Sequence, residues 1–221
     1  MGLNCGCPAA AALPSVVIPE CAESMGQIQK LIFQRIFSSG STKNGVADPL
    51  VLSSWTPLLA AADGTKAVVS PYISAPTSEA GAARKYGGGN ATLNGIEVIV
   101  GREPGTFSAT LLMNKQSVII ELKRMMCENI GVFLVDDNGS IGCLVDSVTA
   151  PTKYMPIPIH AFFVGDKKFG GLEEPDANML EFGLAPNWSD NFVKVQPTDF
   201  NALTDLVYIA PTPTPTPTPT P

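Results

Sequence analysis

The sequence has little charge and almost no histidine. Lys, Arg, Asp and Glu make up 15% of its 221 residues, against about 25% in typical globular domains. His160 is the single histidine, so a Ser–His–Asp or Cys–His catalytic site would have to use it. It lies in an apolar stretch, which favours a core or edge position in a strand over a catalytic role. Because 45% of the residues are hydrophobic, an intrinsically disordered chain is also excluded.

Long apolar runs and nucleotide-binding motifs are missing as well. No run of about 18 consecutive apolar residues occurs, so the sequence predicts no transmembrane helix and no membrane partner. Neither a GxxxxGK nor a GxGxxG pattern is present. These absences exclude proteins with membrane-spanning helices and proteins with the common nucleotide-binding motifs.

The cysteines do not form a recognisable framework. There are five, at positions 5, 7, 21, 127 and 143, with no CxxC pair. An odd number at low density favours free thiols, with a zinc site at Cys5, Cys7 and Cys21 as the alternative. Cys127 and Cys143 lie in apolar surroundings and are expected to be small core residues. We therefore expect no metal and no cofactor.

Positive charge is too scarce for a basic nucleic-acid-binding protein. The net charge is −6 and the isoelectric point is near 4.8, whereas such proteins are strongly basic. The two halves differ, because residues 1–110 are neutral overall and residues 111–221 carry the whole −6. The excess either serves solubility or forms an acidic surface that repels other polyanions.

Glycine and proline are abundant, at 20 residues each, which favours a β-rich chain with many loops. Four zones follow: an extended N-terminal arm at 1–22, a helical segment and loop at 23–65, a β-rich assembly domain at 66–209, and a Pro–Thr tail at 210–221. Alternating proline removes every second backbone donor, so the tail is predicted to be polyproline II.

Periodicity and turn residues predict the elements within these zones. Helices are predicted at 23–37, at 52–62 and, after an Asn114 N-cap, up to 129. Residues 79–94 are predicted to be a long loop. Strands are predicted at 66–73, 96–100, 106–113, 132–135, 141–145, 155–164, 178–184 and 191–195. The fold class is therefore α+β: an antiparallel β-sandwich or barrel with one packed helix, plus an N-terminal helical segment and extended terminal arms.

Three groups of residues are candidates for a site. Gly87, Gly88 and Gly89 lack any phosphate-loop pattern and suit a flexible loop that approaches another backbone. Trp188 and Phe192 lie in a polar loop, where large aromatics either anchor an interface or cap the core. The third group, the acidic cluster, consists of Glu173, Glu174 and Asp176. Its carboxylates could act in acid–base catalysis or hold calcium, although acidic residues are ordinary in turns rich in glycine and proline.

Several stretches resemble virion structural proteins from bacteriophages of Bacteroides-type hosts. They are residues 18–30 (IPECAESMGQIQK), 87–92 (GGGNAT), 100–104 (VGREP) and 176–192 (DANMLEFGLAPNWSDNF). The layout is most similar to a tail tube protein. The resemblance implies a non-enzymatic subunit that forms hexameric rings, which stack into a tube with an acidic lumen. Lumen candidates are Asp136, Asp137 and Asp146, and interface candidates are Gly87, Gly88, Gly89, Trp188 and Phe192.

The same resemblance implies partners and location. The partners are other copies of the chain and other virion proteins, while DNA passes through without specific binding. The protein is expected in the virion after assembly in the cytoplasm of the bacterial host. Two alternatives stay open: a capsid-associated, head-decorating or surface-filament protein, and a carbohydrate-binding module. The second predicts a concave pocket with Trp188 or Trp55 beside the acidic cluster.

Overall fold

The computed structural model describes residues 24–91 and 95–210. The predicted N-terminal arm at 1–22, most of the Pro–Thr tail, and Cys5, Cys7 and Cys21 lie outside the described residues.

Antiparallel strands dominate the described chain. They are β1 (Ile28–Arg35), β2 (Phe37–Ser39), β3 (Thr42–Lys43), β4 (Ala67–Val69), β5 (Ser74–Glu79), β6 (Ala83–Gly87), β7 (Glu97–Arg102), β8 (Gly105–Leu112), β9 (Ile130–Asp136), β10 (Ile141–Val145), β11 (Tyr154–Met155), β12 (Ile157–Val164), β13 (Ala177–Leu184) and β14 (Phe192–Val195). The helices are α1 (Leu52–Ala60) and α2 (Gln116–Arg124), with 3-10 turns at Gly89–Ala91, Met125–Cys127 and Trp188–Asn191.

The main sheet is barrel-like. Its pairings run β1–β9–β12–β13–β8–β5. The two ends of this order approach each other because β4 pairs with β1 and the chain then continues into β5 beside β8, with the Ile73 amide between them donating to the Gln29 carbonyl at 2.9 Å. β12 links the two halves of the barrel, since its first residues pair with β9 and its later ones with β13. This confirms an α+β fold with an antiparallel sandwich or barrel and a packed helix.

Two apolar clusters hold the fold together. One fills the barrel and includes Leu31, Val132 and Leu180, with Ile119 and Leu122 of α2 packed against it. The other lies on the opposite face of β1 and β9, under α1 and the C-terminal segment. Its members include Ile32, Phe133, Trp55, Phe200 and Leu206. Because β1 and β9 are covered on both faces, they form the buried centre of the molecule.

The predicted helix at 23–37 is wrong. Ile28–Arg35 is strand β1 and pairs with β9 from Ile28 to Arg35. Its residues alternate between the two clusters, with Leu31 and Phe33 in one and Ile32 in the other. A strand buried on both faces has apolar residues at consecutive positions, and these also contain the spacings of an amphipathic helix. β1 pairs with β4 and β9, so strands of the main sheet lie on both sides of the predicted boundary at 65/66.

Most other elements agree with the prediction. The α1 helix, the β9–β10 hairpin around Asn138-Gly139 and strands β8, β12, β13 and β14 lie close to their predicted places. The residue before α2 is Lys115, so the Asn114 N-cap is wrong; the Asn114 side chain instead donates to the Leu112 carbonyl. The predicted loop at 79–94 contains strand β6.

The two described cysteines differ in environment. Cys143 is a buried core residue, as predicted, and burial raises the pKa of its thiol to about 12. Cys127 is exposed in the 3-10 turn after α2, so its predicted core position is wrong.

Candidate functional site

A two-stranded ribbon extends from the barrel wall. Strands β5 and β8 pair within the barrel, and the chain between them forms the β6–β7 hairpin, which pairs only with itself in the described part of the chain. The Glu103 amide, which donates to the Ala82 carbonyl at 2.8 Å, continues the pairing between the two parts. We call residues 83–102 the arm. Its five to six residues per strand reach about 17 Å beyond the wall.

The arm presents apolar side chains to solvent. Tyr86, Ile96, Ile99 and Val100 are each between 57% and 63% exposed. An isolated two-stranded hairpin is at best marginally stable in water, because it has no core of its own to bury. An arm of this composition therefore gains stability when another surface covers it.

The predicted interface glycines lie at the end of the arm. Gly87, Gly88 and Gly89 have φ angles of 101°, 95° and 55°, a region that L side chains rarely adopt. The backbone can turn sharply here, just before the 3-10 turn at Gly89–Ala91. Their role at an interface stays a prediction.

Polar contacts fix the arm along its length and at its base. Lys85 and Glu97 pair across the hairpin at 3.1 Å between Nζ and Oε2. At the base, the Arg102 guanidinium donates to the Asn187 side-chain oxygen. Asn187 itself adopts a left-handed conformation, with φ of 63°. The arm is therefore joined to the loop that follows β13.

A second exposed apolar surface lies at the other end of β8. We call Met113, Phe169 and Leu172 the end patch; Met113 is 75% and Phe169 79% exposed, and Leu172 is fully exposed. The Met113 amide donates to the Asp176 carbonyl at 2.9 Å, which joins the end of β8 to the 165–176 loop. The eight residues of β8 separate the end patch from the base of the arm by about 26 Å.

The outward face of β5, β8, β13 and β12 is exposed and has no positive charge. None of these four strands contains a lysine or an arginine. A cleft of about 440 Å³ on this face is lined by Glu79, Glu181 and His160, among other residues. We call it the polar face. His160 lies over Gly183, where an added Cβ would meet its Nε2 at 2.4 Å.

Asp136 is one of the three predicted lumen residues, and for this residue the prediction is wrong. Its side chain is fully buried and accepts hydrogen bonds from the amides of Gly26, Asn138 and Ser140 at 3.0, 3.0 and 2.8 Å. Lys194 Nζ lies 3.4 Å away. A carboxylate held in this way fastens the β9–β10 turn and faces no surface.

Asp137 and Asp146 are exposed. Asp146 accepts bonds from Thr152 and from the Thr152 and Lys153 amides, and these bonds lower its pKa to about 2. It is therefore charged and also closes the loop after β10. Whether either residue faces a lumen stays a prediction.

The aromatic candidates pack against the core. Trp188 and Phe192 are half-buried, make an edge-to-face contact with centroids 5.5 Å apart and pack on the barrel cluster. The structure therefore favours the core-capping alternative. Trp55 is fully buried and its indole donates to the Pro49 carbonyl, so it cannot stack on a sugar in the proposed carbohydrate pocket.

The acidic cluster closes its own loop. Glu174 pairs with Lys168 at 3.1 Å and Asp176 pairs with Lys167 at 3.7 Å. Asp176 also accepts from the Gly170 amide. Within residues 24–91 and 95–210, no three His, Cys, Asp or Glu side chains are grouped so that they could hold a metal ion. None of the helices in this part of the chain is long and apolar enough to cross a membrane.

No protein-family model matches the sequence, and no curated protein matches it.

Sequence reasoning missed the apolar arm and the end patch. Residues 79–94 were predicted to be a loop, so strand β6 was not predicted. Asn94-Gly95 before a β-prone run is a hairpin turn signal that could have indicated it. Phe169 and Leu172 lie in a Gly- and Pro-rich stretch, and nothing local distinguishes an exposed apolar residue there from a buried one.

Proposed function

We propose that this chain is a self-assembling structural subunit of a bacteriophage virion, a tail tube subunit whose rings stack on one another. The observation that carries the proposal is the position of two different exposed apolar surfaces, the arm and the end patch, at opposite ends of β8. A contact between unlike surfaces is heterologous, so it repeats from copy to copy instead of closing as a symmetric dimer.

The energetics favour contact between these surfaces. Full burial of a large apolar side chain contributes about 1.5–3 kcal/mol. The arm offers several such side chains on a hairpin that has no core of its own, and the end patch offers three more. In this proposal the arm of one copy covers the end patch of the next, which stacks copies along the direction of β8.

The polar face supports an open lumen. If copies stack along β8, this face runs parallel to the stacking axis in every copy. Its Glu79 and Glu181 carboxylates, without a neighbouring lysine or arginine on the same strands, repel the phosphates of DNA. We therefore propose Glu79 and Glu181 as lumen residues beside Asp137 and Asp146, in place of Asp136.

Negative-stain microscopy of the purified full chain tests this function. We expect rings and hollow tubes. Ile99→Asp places a charge on the arm and should abolish stacking, because the carboxylate would have to be buried. Val148→Asp is the matched control: Val148 is 65% exposed in the loop after β10, four strands away from β8 in the sheet, so this variant should still form tubes.

Three results would contradict the proposal. A chain that stays monomeric at every concentration tested has no self-assembly to explain. Solid fibres or flat lattices in place of hollow tubes would favour the surface-filament or capsid-associated alternative. Equal loss of assembly in Ile99→Asp and Val148→Asp would remove the arm from the interface.

A further inference from the structure

A cleft of about 880 Å³ opens beside β4. It lies between β4, the end of β1 and α2, and its lining includes Gln34, Ala67, Val69, Val118, Leu122 and Met125. The proposed function does not use it. Its lining is largely apolar, with exposed ion pairs such as Arg35–Glu128 at its rim.

One side of the cleft is an unpaired strand edge. Among the described residues, β4 pairs only with β1. The Ser70 amide donates to the Leu31 carbonyl at 2.8 Å, and hydrogen-bonded positions alternate along an antiparallel strand. The backbone groups of Ala67 and Val69 therefore point away from β1. Such an edge is a template for one more strand.

Gln34 supplies an independent sign of a missing partner. Its side chain is 2% exposed and its Nε2 donates to the Thr65 carbonyl at 2.7 Å. Its Oε1 has no hydrogen-bond partner within the described part of the chain. An unsatisfied buried acceptor costs about 1–3 kcal/mol. Because Gln34 lines the cleft, a ligand with N–H or O–H donors would satisfy it.

We propose that residues 15–18 of another copy (Ser-Val-Val-Ile) bind in this cleft as an added strand beside β4. The inference rests on the proposed function in so far as both require several copies together. The segment is β-branched, and the prolines at 14 and 19 limit it to four residues, which matches the short edge of β4. Its valines and isoleucine suit the apolar lining, and its amides and the Ser15 hydroxyl are donors of the kind that Gln34 lacks.

The length of the chain favours another copy as the source. Ser24 is held where its carbonyl accepts from Lys194 Nζ at 2.7 Å, beside Asp136 and on the far side of β9 from β4. The straight line from there to the outer edge of β4 crosses three strand spacings and four to six residues of strand length, about 19–25 Å. The residues between Ile18 and Ser24 span at most about 20–22 Å. The segment of the same copy would therefore reach only the near end of β4, and only with a fully extended connection.

Hydrogen exchange of the Val69 amide in the full chain tests the proposal. We expect exchange at least tenfold slower in the assembled protein than in the dilute one. Val16→Pro with Val17→Pro should return it to the dilute rate, because two prolines remove the donors of the segment. The matched control, Ala10→Pro with Ala11→Pro, changes the same arm outside the segment and should keep the protection.

A mixed sample shows which copy supplies the strand. Isotope-labelled copies of the Val16→Pro, Val17→Pro variant are assembled with excess unlabelled wild-type protein, and exchange is measured only on the labelled copies. Protection of their Val69 amide requires a segment from a neighbour. Three results would each overturn the proposal. The first is an unprotected Val69 amide in the labelled copies, and the second is equal exchange of this amide in dilute and assembled wild-type protein. The third is protection of this amide in assemblies made only of the double variant.

Microscopy of the same samples separates this proposal from the tube. Hollow tubes without Val69 protection overturn the strand and leave the tube. Val69 protection in assemblies that are not tubes supports the strand and overturns the tube.

Discussion

Asp136 shows how one buried charge determines a turn. Burial opposes its charged form most strongly, but the bonds from the Gly26, Ser140 and Asn138 amides and the nearby Lys194 outweigh burial and lower its pKa below the ordinary value. A carboxyl whose pKa is lower in the folded state stabilises the fold at a pH above its unfolded pKa of about 3.9, and this contribution is lost as the pH falls through the folded pKa.

Replacement of the Asp136 carboxylate should destabilise the protein. Asp136→Asn keeps the shape but presents an amide to donors, so we expect a loss of about 2–3 kcal/mol in the free energy of unfolding at pH 7. The difference from wild type should shrink as the pH falls below about 3.9, because the carboxyl of the unfolded chain takes up a proton there while the folded carboxylate is still charged. Urea denaturation at several pH values measures both effects.

Its neighbour provides the control. Asp137→Asn changes an exposed side chain and should cost less than about 0.5 kcal/mol. A deficit in Asp136→Asn that is equally large at pH 7 and at strongly acidic pH would show that the charge is not the cause.

At the scale of elements, β12 has a local irregularity within its pairing with β13. Its register with β13 shifts between His160 and Phe163, and Ala161 there has a φ of 51°. A left-handed conformation costs an L residue about 1–2 kcal/mol. The bulge in β12 is therefore held at a cost in backbone strain.

Ala161→Gly should stabilise the protein. Relief of the strain outweighs the extra freedom that glycine adds to the unfolded chain, about 0.4–1 kcal/mol, so we expect a net gain of about 0.5–1 kcal/mol. Ala109→Gly, in the buried β8 strand, should instead lose about 1 kcal/mol. Thermal or urea unfolding compares them, and a loss of stability in Ala161→Gly would contradict this account of the bulge.

Local patterns predicted the elements that have one solvent-facing side or a specific turn. The β9–β10 hairpin was predictable because Asn138-Gly139 marks its turn, and α2 because its apolar residues form one stripe. β1 was not, because a strand covered on both faces has no polar face to reveal its period. The second cluster, which covers it, is built from distant segments such as Trp55 and Phe200.

The candidate site depended on long-range structure even more. Gly87 and its neighbours indicated an unusual loop, but only the pairing of β6 with β7 shows that an arm is present. Asp136 and Asp137 are adjacent in sequence and opposite in burial. No local pattern separates a carboxylate that fastens a turn from one that faces solvent.

At the scale of the whole molecule, the sign of charge on the polar face gives a prediction about DNA. Glu79→Lys with Glu181→Lys changes two exposed carboxylates to ammonium groups, one on β5 and one on β13, the two strands that flank β8. We expect assemblies that still form but retain double-stranded DNA at low salt and release it as salt rises, as phosphate contacts do.

Co-sedimentation of DNA with assembled protein measures this retention. Glu121→Lys with Glu128→Lys makes the same charge change around α2, outside the polar face, and is the control. Equal retention by both double variants would show that net charge matters and that the polar face does not.

The pairing of β8 with β13 has a mechanical consequence. The two strands are in register over eight consecutive pairs, from Leu112 with Ala177 to Gly105 with Leu184. Their hydrogen bonds lie perpendicular to the strands. A pull between the arm and the end patch would therefore load all of these bonds in shear at once, so that they share the force and do not open one after another. A filament built from such copies would resist stretching within each subunit, and it would yield first where one copy meets the next.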